Sequence, residues 1–255
     1  SSDLAFNQIE KHFRMKFGVS ASLFNKESIE IPDEQLDILA SHKILGSKFV
    51  GFHVRDSVTP LSRSAGNCDI TTYIEAIELL LDQDIRVVIQ GNMSMKLLPD
   101  SLRNHPLIWD YAHDSNKHSS LDMYFFSHAF FLVGSASGPI LIGNDFGVPT
   151  LYTNLPCLGY HYDLRGYSLP HLILDRKSGY ELPYSEILKS PLAWSIREET
   201  NQHIRRRNSA QEIKDAVQDM LNDSVSIELN LWHGLRQSQH FGGAAPAMTI
   251  APSFY

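Results

Sequence analysis

The stretch Phe49-Val50-Gly51-Phe52-His53-Val54 decides the fold class. It is apolar at its start without alternation, as a strand buried on both faces of a parallel sheet is. A second run of this kind is Arg86-Val87-Val88-Ile89-Gln90, which Gly91 closes. Further strands are predicted in short apolar segments at residues 107–109, 130–133, 149–152 and 172–175. These segments are spaced along the chain as the strands of an α/β protein are.

Helices are predicted between these strands, and in two of them, at residues 69–83 and 209–221, apolar residues recur at helical spacing. The predicted helices cover residues 69–83, 119–128, 138–146 and 209–221. Two of them begin with the pattern of a capping box, at Ser119-Ser120-Leu121-Asp122 and at Ser209-Ala210-Gln211-Glu212. Alternating strands and helices indicate right-handed βαβ units and a Rossmann-like parallel sheet with helices on both faces.

The α/β domain is predicted to span residues 49–222, between an N-terminal segment at 1–48 and a C-terminal tail at 223–255. The chain has 255 residues, 43% of them hydrophobic, and a net charge of −7 from 22 basic and 29 acidic residues. An acidic balance argues against nucleic-acid binding. The three-residue run Arg205-Arg206-Arg207 is interpreted as a solvated helix end.

The sequence lacks the features of a membrane-spanning protein, a disulfide scaffold and a metal-binding protein. No apolar run approaches the roughly 20 residues of a membrane helix. Cys68 and Cys157 are the only two cysteines, which favours a reducing compartment, and we expect a cytoplasmic protein. No metal-ligand spacing appears, so we expect neither a metal nor a cofactor.

Ligands of parallel α/β sheets bind beyond the carboxyl ends of the strands, so the residues that follow each strand are the candidate site. His53, Arg55 and Asp56 follow the first strand. The guanidinium of Arg55 is suited to a phosphate pair, because it presents a planar fork of donors. Two alternatives stay open: Arg55 could form an ion pair with Asp56 or Asp69, and His53 could be a satisfied core imidazole.

A second candidate element is the loop Gly134-Ser135-Ala136-Ser137-Gly138-Pro139, which follows the strand at 130–133. Gly134 and Gly138 would let the backbone approach a ligand, and Ser135 and Ser137 would supply hydroxyls. The helix that follows offers free N–H groups and a partial positive charge to a phosphate. An ordinary serine-capped turn is the structural alternative.

Three more residues are predicted at the same edge of the sheet. Tyr111 could stack on a base, Asn154 follows the strand at 149–152, and Asp122 could reach the ligand. The position of Asp122 as the acid of the capping box is a sufficient structural explanation for it. Gly147 is predicted as a left-handed helix C-cap.

Together these segments resemble a bacterial family regarded as glycosyltransferases, over roughly residues 45–225. The segments that carry the resemblance are residues 49–56, 67–73, 109–111, 120–123, 134–138, 146–149, 184–188 and 208–222. His53-Val54-Arg55 is also similar to the H-x-R motif of fucosyltransferases with the GT-B fold. The sequence departs from the family at Gly66-Asn67-Cys68, where an Arg-Asn pair is expected, and at Gln90, where an Arg is common.

The resemblance implies the donor-binding domain of a GT-B glycosyltransferase, of hexosyl- or fucosyltransferase type. Arg55 would bind the donor's diphosphate, and Ser135, Ser137 and Gly138 would belong to the phosphate loop. The resemblance does not supply the general base, for which Asp56 is the one candidate in the sequence. The reaction would need no metal, and the partners would be a nucleotide-sugar and a glycan-type acceptor. Only about 48 residues precede the first strand, so the chain is expected to be a fragment or a reduced variant of such an enzyme.

Two other functions remain open at this point. One is a nucleotide-sugar-binding module without transferase activity. The other is a nucleotide-sugar epimerase. They are separated by the fate of the donor: the transferase transfers the sugar, the epimerase isomerises it, and the module binds the donor without turnover.

Overall fold

A six-stranded parallel sheet forms the centre of the molecule. The computed structural model describes residues 26, 29–55, 67–135, 137–156, 166–187, 190–193 and 200–223. The strands are β1 (Phe49–His53), β2 (Arg86–Gln90), β3 (Ile108–Trp109), β4 (Phe131–Ser135), β5 (Thr150–Leu155) and β6 (Tyr167–Pro170). Their spatial order is β3-β2-β1-β4-β5-β6, with every neighbouring pair parallel. The predicted Rossmann-like sheet is confirmed.

The strand order reverses between β1 and β4, which are adjacent in space. From β1 the chain builds outward through β2 and β3, and it then returns to β4 on the other side of β1. The connections therefore diverge at the carboxyl ends of β1 and β4, and such a point leaves a crevice in which α/β proteins bind ligands.

Helices cover both faces of this sheet. In chain order they are α1 (Asp33–Ser41), α2 (Ile74–Leu81), α3 (Asp100–Arg103), α4 (Ser119–His128), α5 (Gly138–Asp145), α6 (Tyr184–Ile187) and α7 (Ala210–Asp223). The predicted helix at 119–128 matches α4 at both ends. The predicted helix at 69–83 is a 3₁₀ turn, Ile70–Tyr73, that continues into α2.

Two separate hydrophobic clusters divide the core, one on each face. On one face Val50 and Phe52 pack with α2 and α7, the latter contributing Ile213 and Val217. On the other face Phe49 packs with α1, α4 and α5. Because side chains alternate along a strand, β1 supplies both clusters. α1 lies within the predicted N-terminal segment, and its Leu39 is fully buried in the second cluster.

A small antiparallel pair lies outside the main sheet and was predicted only in part. β7 (Leu172–Asp175) was expected, and it pairs with β8 (His203–Arg206) rather than with the parallel strands. The interpretation of Arg205-Arg206-Arg207 as a helix end was wrong. Arg205 and Arg206 end β8, and Arg206 forms an ion pair of 2.6 Å with Glu212.

Helix ends test the predicted capping patterns. At α7 the Ser209 hydroxyl accepts from the Glu212 N–H (3.2 Å), and the Glu212 carboxylate accepts from the Ser209 N–H (2.7 Å), so this capping box is confirmed. At α4 the prediction was wrong by one residue. His118 is the N-cap, its ring accepts from the Ser120 N–H, and Ser119 is already helical. Gly147 has φ 77°, as its predicted left-handed conformation requires.

Candidate functional site

A cavity of about 740 Å³ opens at the carboxyl ends of β1 and β2, between the first residues of α4 and α5. It lies at the point where the strand order reverses. Its lining residues come from the ends of those strands and from the two helices: His53, Val54, Arg55, Gln90, Gly91, Asn92, Lys117, Ser119, Asp122, Met123, Phe126, Ser137, Gly138, Pro139 and Ile142. Five predicted site residues are among them: His53, Arg55, Asp122, Ser137 and Gly138.

The floor of the cavity is formed by His53 and Gln90, which are partners in the β1–β2 register. Burial lowers the pKa of His53 from 6.5 to about 4, so the imidazole is neutral at neutral pH. Its Nδ1 shares a hydrogen bond of 3.0 Å with the Ser137 hydroxyl. His53 is intermediate in burial rather than fully buried, so its ring makes the hydrogen bond of a satisfied imidazole and also lines the cavity.

Arg55 follows His53 closely in the sequence and brings a positive charge to the cavity. Its backbone N–H donates to the Ser135 hydroxyl (3.0 Å), which ties the end of β1 to the end of β4. Within the described residues, no carboxylate forms an ion pair with Arg55. Asp69, one of the two partners considered, instead bonds Thr71 and pairs with Lys96 at 3.3 Å. The other, Asp56, lies outside the described residues.

Ser135 and Gly134 lie beneath the loop and do not line the cavity. Ser135 is fully buried, and it positions Arg55 rather than facing a ligand. A Cβ at Gly134 would lie 2.2 Å from the His53 carbonyl oxygen and 2.5 Å from Ile140 Cδ1. Glycine is therefore needed at 134 because the backbone of β1 and the side chain of Ile140 pass close by. The predicted role in approaching a ligand does not apply to it.

Ser137 and Gly138 form the part of the loop that faces the cavity. Ser137 occupies the N-cap position of α5, but its side chain makes no cap hydrogen bond and instead bonds His53. A Cβ at Gly138 would meet nothing within 4 Å, so this position is open to the cavity. The first turn of α5 thus keeps N–H groups that no serine side chain satisfies.

Lys117 is a cavity residue that the sequence analysis missed. It precedes α4, its ammonium donates to the Gly91 carbonyl, and it lies 5.5 Å from the centre of the Tyr111 ring. No motif marks it, because it lies in a loop that does not directly follow a strand. With Arg55 it gives the cavity two cationic side chains.

Asp122 lines the cavity from the first turn of α4. Burial raises the pKa of Asp122, and hydrogen bonding from Tyr111 and the charge of Lys117 oppose that shift. Because His118 caps α4, the capping-box explanation of Asp122 is wrong. A half-buried carboxylate is left facing the cavity, where it can accept a ligand's N–H or O–H.

Besides Gly134 and Ser135, two further predicted residues do not line the cavity. Tyr111 is fully buried, its ring packs edge-on against Trp109 and Phe125, and its hydroxyl bonds the His118 backbone. It has no exposed face on which a base could stack. Asn154 is 1% exposed and exchanges backbone-to-side-chain hydrogen bonds with Asn208 on the other face of the sheet.

Charge at the cavity favours an anion. Arg55, Lys117 and the N-terminal ends of α4 and α5 surround it, against the single carboxylate of Asp122 among the described lining residues. Such helix ends favour negative groups. In the described part of the chain, no group of three or more His, Cys, Asp and Glu side chains could hold a metal ion. None of the described helices has the length and apolar character needed to cross a membrane.

Comparison with known proteins gives little further information. No protein-family model matches the sequence. No curated protein matches it either. A glycosyl transferase family 9 protein from Veillonella parvula DSM 2008, known from its crystal structure, is similar with a TM-score of 0.43 and 12% identity. The match covers 75% of this chain and 51% of that one, so the chain spans about half the length of that protein. A similarity this low carries no weight for function, which rests on the chemistry of the cavity.

Proposed function

We propose that the chain is the nucleotide-sugar-binding part of a glycosyltransferase. It would hold a sugar activated by a nucleoside diphosphate and pass that sugar to a hydroxyl group of a glycan-type acceptor. One observation carries the proposal: Arg55 and the open start of α5 at Ser137 and Gly138, about 80 residues apart in sequence, line one cavity where the strand order reverses.

The diphosphate is assigned to the rim of the cavity. Arg55 can donate two parallel hydrogen bonds to phosphate oxygens, and Lys117 adds a compact positive charge. The first turn of α5 adds backbone N–H donors, because the Ser137 hydroxyl is turned toward His53. These groups match the charge and the geometry of a phosphate pair.

The proposed reaction is displacement at the anomeric carbon. A bond forms from the acceptor oxygen to that carbon while the bond to the diphosphate oxygen breaks, and the electron pair leaves with the nucleotide. Arg55 and the α5 amides would stabilise the charge that grows on the leaving group, so no metal is needed for that step. We propose Asp56 as the base that takes the acceptor's proton.

Nucleotide binding is the first test. A thermal-shift screen of GDP, UDP, CMP and dTDP conjugates should show a higher melting temperature with the right nucleotide, because it binds only the folded state. Arg55→Ala should then weaken that affinity about ten- to hundredfold, for a loss on the order of 1.5–3 kcal/mol. Arg55→Lys should restore only part, because an ammonium lacks the planar fork.

The matched control is Arg103→Ala. Arg103 is also partly exposed, but it pairs with Asp100 at 2.7 Å and lies outside the cavity. Its replacement should leave nucleotide affinity unchanged. If Arg55→Ala loses thermal stability while its affinity for nucleotide stays at the wild-type value, Arg55 has a structural role and the diphosphate assignment is wrong.

Product analysis separates the three functions that share this site. Release of nucleoside diphosphate with transfer of the sugar supports the transferase. An isomerised donor without transfer identifies an epimerase, and tight binding without any turnover identifies a binding module.

A further inference from the structure

Gln90 has a buried side-chain amide on the floor of the cavity, and this amide makes no hydrogen bond. It ends β2, it is 2% exposed, and neither its Nε2 nor its Oε1 has a hydrogen-bond partner. Buried amides in folded proteins are nearly always paired, because an unpaired one loses its hydration without compensation. The pattern at Gln90 is expected where a ligand completes the hydrogen bonds.

The surrounding backbone makes room for this amide. A Cβ at Gly51 would lie 2.7 Å from Gln90 Nε2, so a glycine in the neighbouring strand lets the side chain lie across it. Beside it, His53 is neutral and shares its Nδ1 hydrogen bond with Ser137. The amide is therefore held at the cavity by packing rather than by hydrogen bonds of its own.

The chemistry of this floor differs from that of the rim. A phosphate there would leave water without meeting a cation, which is costly for a charged group. A carboxamide instead offers an acceptor oxygen and a donor nitrogen side by side. Its best partner is an uncharged group that presents a donor and an acceptor at the same spacing.

We propose that Gln90 is a specificity-determining residue that binds an uncharged donor–acceptor group of the nucleotide-sugar, while Arg55 and the α5 amides bind its phosphates. This inference rests on the proposed function, since it assigns a further part of the same ligand. Two parts of a nucleotide-sugar have this chemistry: the amide edge of a nucleobase and a pair of neighbouring sugar hydroxyls.

The test uses Gln90→Met, which keeps the length of the side chain and removes both polar atoms. Without ligand, this variant should melt about 2–4 °C higher than the wild type, because an unpaired buried amide is gone. If methionine does not fit at this position, Gln90→Leu is the second variant, because it also removes both polar atoms. The matched control is Ser168→Ala, which removes a buried and equally unpaired hydroxyl outside the cavity.

Calorimetric titration of three probes locates the bound group. The probes are inorganic pyrophosphate, the nucleoside diphosphate that the screen selects and its sugar conjugate. If Gln90 binds the base, Gln90→Met loses at least tenfold affinity for both nucleotides and none for pyrophosphate. If Gln90 binds the sugar, only the conjugate loses affinity. Ser168→Ala should change none of the three.

Two results would overturn the inference. One is wild-type affinity of Gln90→Met for all three probes, which would mean that the Gln90 amide binds no part of the ligand. The other is an equal loss for all three, pyrophosphate included, which would mean that the substitution disturbs the rim. Failure of the proposed function is a separate result, because the wild type itself would then bind no nucleotide.

Discussion

Two groups of polar side chains lie at the same edge of the sheet, on opposite faces, and they differ in how their hydrogen bonds are satisfied. The first group is the cavity floor, His53 and Gln90, together with Ser137, which bonds His53, and both polar atoms of Gln90 are unpaired. The second group is the asparagine network of Tyr73, Thr153, Asn154 and Asn208, whose side chains are linked to one another by hydrogen bonds.

The asparagine network is closed. Asn154 and Asn208 each accept the other's backbone N–H, and Asn208 also donates to the Pro170 carbonyl (3.0 Å). Thr153 donates to the Gly134 carbonyl (3.1 Å) and bonds the Tyr73 hydroxyl. Asn154 sits at φ 51°, a left-handed conformation that asparagine tolerates better than most residues. Satisfied groups like these rigidify the core, whereas the amide of Gln90 at the cavity keeps both of its polar atoms unpaired.

The largest effect is expected from Asn208→Ala, which opens the closed network. The Asn154 N–H and the Pro170 carbonyl would both lose a buried partner, for a loss of about 2–4 kcal/mol of unfolding free energy. Chemical denaturation measures this loss. Nucleotide affinity of the folded fraction should not change. A large loss of affinity with normal stability would place the network in the binding site.

The second effect is a pH dependence that comes from the cavity floor. The pKa of His53 is 6.5 unfolded and about 4 folded, so the unfolded chain takes up the proton first as pH falls. Stability is therefore fully present above about pH 6.5 and declines toward pH 4. The loss from this group at pH 5 should be about 2 kcal/mol.

His53→Gln should remove that part of the pH dependence, as measured by denaturation at pH 7 and pH 5. His171 needs its own variant, because burial lowers its pKa to about 3 and it contributes with the same sign. His171→Gln should leave the contribution of His53 intact. An unchanged pH slope in His53→Gln would show that the imidazole is hydrated rather than buried.

Most strands of the main sheet could be predicted from the amino-acid sequence, and two short strands could not. Apolar patterning identified the five strands β1 to β5, because short apolar runs bounded by turn residues are typical of buried strands. The pattern Ser119-Ser120-Leu121-Asp122 located the start of α4, although His118 is its N-cap. Apolar patterning missed β6, a short edge strand that ends in Pro170, and β8, whose charged residues hid a strand.

For the site, the rule that ligands bind beyond strand ends predicted the carboxyl edge of the sheet. It did not predict on which face of the sheet each residue would lie. Arg55 and Ser137 were placed correctly, whereas Asn154 follows a strand at the same edge and belongs to the opposite face. Which face a residue meets after a strand ends depends on loop geometry, which apolar periodicity does not encode. Gln90 stood out in the sequence only as a departure from a family pattern, since its unpaired state is a property of the fold.

The smallest effect, and the most direct contrast between the two faces, comes from two serines at helix starts. Ser137 begins α5 at the cavity without capping it, and Ser209 begins α7 on the other face within a complete capping box. Ser209→Ala should cost about 1 kcal/mol of stability, the usual loss for an N-cap, and leave nucleotide affinity unchanged.

Ser137→Ala should cost less stability, because no cap hydrogen bond is lost. It should weaken nucleotide binding about three- to tenfold, since the neutral His53 loses the partner that orients it, and one ordinary hydrogen bond contributes about 1 kcal/mol. Calorimetric titration and a melting curve of each variant measure both quantities. The opposite ranking, with stability lost at Ser137 and affinity lost at Ser209, would contradict the assignment of the ligand to the α5 side of the sheet.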